Sequence, residues 1–155
     1  MRNGVRFTRM SSPASISDVG SRQSHSSRAL HIVLWVAQVV LAVLFGMAGT
    51  MKATAPLAQL AQKMTWVAAV PAALVRFIGV SELAAALGLL LPSATRIRPV
   101  LTPLAAAGLV VIMVLAAGFH SSRGEAQVVP VNLVLGALAA FVAWGRGKKA
   151  PIAPR

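Results

Sequence analysis

Apolar residues in this chain gather into four long runs, separated by short stretches where charged, polar and proline residues collect. The runs are Leu30 to Gly49, Ala72 to Leu91, Val100 to Phe119 and Val128 to Trp144. Each approaches or meets the roughly 20 apolar residues that a helix needs to cross a bilayer. The pattern predicts an all-α integral membrane protein, a bundle of four transmembrane helices over residues 30–49, 72–91, 100–119 and 128–144. Proline placement agrees with these entrances. Pro71, Pro99, Pro103 and Pro130 stand at or near helix starts, where a missing N–H costs little because first-turn donors have no helical partner. Pro92 is expected to close the second span, leaving a tight hairpin before Pro99. In the first connection, Leu57, Leu60, Met64 and Val67 recur at helical spacing while Gln59, Gln62 and Lys63 take the other face. That spacing fits a short helix lying in the membrane interface, or a surface loop. Trp66 and Trp144 fall near the expected water interfaces, with Trp35 further inside, broadly as aromatic belts do.

Composition agrees with the membrane class. Of 155 residues, 57% are hydrophobic and 12% charged, and the mean hydropathy is +0.74, too apolar for an ordinary soluble domain of this size. Residues 1–29 form a basic, Ser/Arg-rich segment that reads as a disordered cytoplasmic tail; an organellar transit peptide has a similar composition. A secretory signal peptide fits poorly, because the apolar run after Arg28 is too long for one. Residues 30–146 make the membrane domain, and 147–155 a short basic tail.

The net charge of +12 is distributed by side. Eleven of the 15 lysines and arginines lie before the first span, in the second connection or after the fourth span: Arg2, Arg6, Arg9, Arg22, Arg28, Arg96, Arg98, Arg146, Lys148, Lys149 and Arg155. This bias matches the positive-inside rule with both termini cytoplasmic, and predicts a multi-pass protein of a bacterial inner membrane surrounded by lipid. Nucleic acid is not an expected partner, since no basic patch is interleaved with aromatic residues. The chain has no cysteine. Disulfides, thiolate catalysis and cysteine-held metals are therefore excluded within it, and no metal site is expected.

One of only three acidic residues, Glu82, lies near the middle of the second span. A carboxylate there costs about 2.5–3.5 kcal/mol on insertion scales. A proton, a cationic partner or a wet pocket would reduce that cost, and the sequence leaves the choice open. Residues three and four away from Glu82 are Ile78, Gly79, Ala85 and Ala86; three are small, so Glu82 is expected to face the bundle interior. Gln38 and Lys52 share a stripe of the first span with Gly49, which makes Lys52 a candidate partner for Glu82. His120 closes the third span and Asn132 opens the fourth. Topology collects Lys52, Arg76, His120 and Asn132 at the outer end with Glu82 below them, which predicts a polar pocket open to that side and drawn from Glu82, Lys52, His120, Asn132 and Gln38. Each has a plainer role available. Lys52, Arg76 and His120 can reach for headgroups, and Asn132 can serve as an interhelical hydrogen bond.

Three local patterns carry a resemblance. Phe45-x3-Gly49-x2-Lys52 closes the first span, Gly79-x2-Glu82 precedes Gly88-Leu89-Leu90-Leu91-Pro92, and Phe119-His120 closes the third. In order and spacing from about Leu34 to Arg146, the chain resembles the DoxX-like family of small four-helix membrane proteins. The resemblance implies that Lys52, Glu82 and His120 are the characteristic polar residues of the fold, with Gly49 and Gly79 making room for them. Name-giving members of that family resemble the small subunit of a thiosulfate:quinone oxidoreductase, other relatives are linked to oxidative or quinone stress, and distant animal relatives act as membrane chaperones. Three functions follow as expectations. The first is an accessory subunit of redox chemistry that binds a quinone or similar apolar molecule beside a partner oxidoreductase subunit. The second is a non-catalytic scaffold or assembly factor, and the third a small proton-linked transporter. Small-residue pairs such as Ala42-x3-Gly46 and Ala84-x3-Gly88 permit close packing, either within one bundle or in a homo-oligomer.

Overall fold

A computed structural model describes residues 16–155, with side chains from Arg28 onward. Residues 1–15 of the expected tail lie outside the described residues, and helical backbone is present from Ile16. The chain runs α1 (Ile16–Thr54), α2 (Leu57–Lys63), a 3-10 turn (Thr65–Ala69), α3 (Ala72–Thr95), α4 (Leu101–Ser122) and α5 (Val129–Trp144), which continues as a π-helical turn to Lys149. Four segments are long and apolar enough to cross a membrane: Arg28–Thr54, Ala72–Thr95, Leu101–Ser122 and Val129–Lys149. They form a ring in which α1 packs on α3, α3 on α4, α4 on α5, and α5 back on α1.

Between 28% and 39% of each span is buried inside the bundle, so most of each helix faces outward. Val36, Met47, Phe77, Val114 and Val134 are all exposed. In lipid that surface has an apolar solvent, and helix association rests on close packing and hydrogen bonds instead. Leu41, Phe45, Leu89, Leu109, Met113 and Val142 fill the centre. Small residues set the spacing. A Cβ on Gly88 would stand 2.8 Å from the Ala105 Cβ of α4 and one on Gly46 3.8 Å from the Ala86 Cβ of α3, so both glycines of the small-residue pairs are used within this bundle.

Several boundaries differ from the sequence expectation: the first helix spans Ile16–Thr54 rather than residues 30–49, and the third span runs to Ser122 rather than Phe119. Pro92 does not end the second span; it is buried within α3, which continues to Thr95. A proline in a membrane helix gives up one backbone hydrogen bond, and neighbouring groups can compensate. The helix stops instead at Arg96, whose φ of 59° and ψ of 18° form a left-handed cap. The fourth span also runs past Trp144, carrying Arg146 into the bundle at 3% exposure. The first connection forms a short helix and turn that fold down onto the bundle, with Leu60 and Val67 buried against Val75 and flanked by Met51, Met64 and Trp66.

Candidate functional site

Lys52 and Glu82 meet where α1 and α3 cross. The Lys52 Nζ donates to both carboxylate oxygens of Glu82, each at 2.7 Å, and both residues are buried. Two glycines make the approach. A Cβ on Gly49 would lie 2.7 Å from the Gly79 carbonyl oxygen, and one on Gly79 would lie 2.6 Å from the Ala53 backbone nitrogen. No side chain fits between these backbones. Arg76, expected to reach for headgroups, donates instead to the carbonyls of Lys52 at 2.7 Å and Ala55 at 2.8 Å. It thereby satisfies acceptors at the end of α1 that have no helical partner, and places positive charge where the helix dipole favours it.

Beside this crossing lies a cavity of about 1050 Å³, bounded by α3, α4, the start of α5 and both connections at this end. Its walls are mainly apolar, with Trp66, Phe77, Leu115, Phe119 and Val131 among them; Lys52, Glu82, His120, Glu125 and Asn132 line it as polar groups, and so do Lys63, Thr65, Ser81 and Gln127. Phe77 and Leu115 are also 68% and 67% exposed, so the wall is continuous with the lipid-facing surface of α3 and α4. Trp66 packs edge-on to Phe119 at a centroid distance of 6.4 Å.

His120 is held by a residue that sequence reasoning missed. Its Nδ1 lies 2.5 Å from Glu125 Oε2, while Arg123 Nε donates to Glu125 Oε1 at 2.9 Å and the Thr65 hydroxyl reaches the same oxygen at 3.4 Å. Hydrogen bonds from His120 first and Arg123 second hold the Glu125 carboxyl below the usual glutamate range. In the sequence Glu125 looks like an ordinary charge in the loop SSRGEAQ. The one available signal was its position five residues after His120, beyond a glycine that turns the chain back with φ 71°.

Asn132 and Arg146 each have a buried side-chain nitrogen without a partner among the described residues, and of the two only Asn132 lines the cavity. It is buried at 8% exposure, lines the cavity, and its Nδ2 has no hydrogen-bond partner among the described residues. An unpaired buried amide costs about 1–3 kcal/mol; Nδ2 itself is sealed, and a bound polar group would recover that cost once the amide turns it toward the cavity.

Gln38 does not belong to this pocket. It shares a stripe of α1 with Lys52 but sits 14 residues earlier, about 21 Å along the helix. At that opposite end it donates from Nε2 to the Leu89 carbonyl at 2.6 Å and to Ser93 Oγ at 3.3 Å, and accepts from Arg146 Nε at 2.5 Å. Ser93 in turn bonds Thr102 across the α3–α4 gap at 2.8 Å. Arg146 also donates through Nη1 to His31 Nδ1 at 3.0 Å and lies over the Trp35 ring at 5.4 Å.

A model described as the DoxX-like family matches residues 36–142, well over half of the chain. The chain belongs to the DoxX-like family. No curated protein and no solved structure matches it significantly. The matched segment of this DoxX-like protein contains both glycines of the crossing, the Lys52–Glu82 pair, His120, Glu125 and Asn132. It ends just short of Arg146, the centre of the other polar cluster.

Proposed function

We propose that this DoxX-like protein is an accessory membrane subunit of redox chemistry that holds a quinone, or a similar apolar molecule with a polar ring, in the cavity beside the Lys52–Glu82 crossing. The observation that carries this reading is the unpartnered Asn132 amide in a mainly apolar cavity large enough for a ring and part of its tail. Such ligands need a mostly apolar slot with a few convergent polar groups, and here Asn132 and His120 would meet the ring oxygens. Exposed Phe77 and Leu115 on the wall favour entry from the acyl-chain region. A bound quinone would supply two-electron, two-proton carriage within the membrane, and the absence of cysteine would leave electron delivery to a partner subunit. The charge distribution favours a bacterial inner membrane with both termini cytoplasmic and the cavity toward the outer face.

Mass spectrometry of small molecules and proteins that co-purify in mild detergent tests this reading. A quinone in the wild type that is lost from a well-folded Asn132→Leu variant supports it. A partner protein with no small molecule in either preparation overturns it in favour of the scaffold reading, for which the glycine-lined ion pair is the supporting observation. Because the chain lacks cysteine, a single cysteine at Gly147 or Gln59 can be labelled from either side of the membrane. Gly147 reacting from the outside would reverse the orientation.

A further inference from the structure

The polar groups around the cavity differ in how much bonding capacity they retain. Both oxygens of Glu82 are taken by Lys52. Both oxygens of Glu125 are taken as well, one by His120 and the other by Arg123 and Thr65. Both carboxylates are thus held by protein donors on each oxygen, and as acceptors only they can offer a ligand nothing but a remaining lone pair. Among the groups beside the ion pairs, the Asn132 carboxamide and the second ring nitrogen of His120 keep free capacity, with Lys63, Thr65, Ser81 and Gln127 elsewhere on the wall.

Glu125 determines what that nitrogen can do. An ionised carboxylate only accepts hydrogen bonds, so the 2.5 Å contact requires the proton on His120 Nδ1. In the neutral ring Nε2 is then a bare lone pair, an acceptor and not a donor. Nε2 has no hydrogen-bond partner among the described residues, it is not sealed off as Asn132 Nδ2 is, and the ring lines the cavity. Asn132 is indifferent by comparison. A half-turn of its amide presents either N–H or C=O to the cavity.

Resting on the quinone reading above, we infer that the His120–Glu125 dyad makes this site selective for the reduced form of its ligand. A hydroquinone hydroxyl donates to Nε2, whereas a quinone carbonyl faces it lone pair to lone pair. Asn132 serves either form, so His120 discriminates and Glu125 is the positioning residue that fixes its tautomer.

The test uses the full-length protein in mild detergent at about pH 8, titrated anaerobically with duroquinone and with durohydroquinone and followed by quenching of tryptophan fluorescence. The expected result is about tenfold tighter binding of the hydroquinone, the worth of one hydrogen bond gained against one facing pair of acceptors. In Glu125→Gln, whose amide can donate to Nδ1 as well as accept from it, the preference should fall towards unity while binding persists. Equal affinities in the wild type would overturn the selectivity and leave the cavity reading standing; saturable binding of neither form would overturn both. Nitrogen NMR of the histidines, with His120 assigned by its loss in His120→Gln, is an independent check on the wild type. A proton on Nε2 of neutral His120 overturns the proposal whatever the variants do.

Discussion

The two polar ends of the bundle use similar groups to opposite effect. At one end Gln38 engages both sides of its amide, bonding α3 through Leu89 and Ser93 and the end of the fourth span through Arg146. At the other, Asn132 presents the same functional group, and its Nδ2 has no partner among the described residues. Both residues are buried, so exposure does not separate them. Buried polar residues in a membrane bundle divide into those that tie helices together and those that keep capacity for something absent. Hydrogen-bond bookkeeping separates Gln38 from Asn132 where depth and residue type do not, while Arg146 does both, bonding Gln38 and His31 and leaving Nη2 unpaired among the described residues.

The sharpest way to break this contrast is at the saturated crossing beside the cavity. Replacing Glu82 with Ala leaves the Lys52 ammonium buried without its partner, which is expected to cost about 3–5 kcal/mol and to lower the thermal midpoint in detergent markedly. Lys52→Glu combined with Glu82→Lys should recover part of the loss. Independent, additive losses in the two single variants would show that the pair is not the unit of stabilisation.

Gly79→Ala comes next. Its methyl would meet backbone rather than a side chain that can move, so a loss of about 1–3 kcal/mol is expected, readable by the same melt. Gln38→Leu should cost a similar or smaller amount, about 1–3 kcal/mol, because it strips Arg146 of an acceptor inside the bundle. Asn132→Leu sharpens the comparison in the opposite sense. Removing an unpaired buried amide should leave the melting temperature unchanged or raise it, while ligand binding falls. A marked loss of stability would show that Asn132 is spent structurally, as Gln38 is.

The smallest expected effect concerns acid. Because the folded-state pKa of Glu125 is depressed, the stability it contributes is fully present above the ordinary glutamate range and is lost as pH falls through the lowered folded value. The difference in melting temperature between wild type and Glu125→Gln should therefore be present at about pH 5 and shrink as pH falls below it. A difference that grew below that pH would contradict the hydrogen-bonded clamp.

Particular residues show how far the sequence could be read. Glu82 and Lys52 were legible as a candidate pair because each shares its stripe with small residues and few other charges lie at that depth. Gln38 was legible as an inward-facing residue, but not as a member of a different cluster, since its stripe carries no information about which end of a neighbouring helix lies opposite. Arg146 read as one of the basic residues following the fourth span because it comes after Trp144, and Glu125, in the third connection, drew no reading. In both, the deciding contact is with a group that only the folded chain brings near.

By itself the sequence determined that this chain is a four-helix membrane protein. A bilayer accepts only segments that satisfy their own backbone hydrogen bonds and present about 20 apolar residues, and that demand is written locally along the chain. Tertiary structure alone decided which buried polar groups are spent on one another and which are left open. That depends on the distances between helices: two glycines bring α1 and α3 close enough to close an ion pair, while the space between α3, α4 and α5 leaves Asn132 and one nitrogen of His120 without a partner.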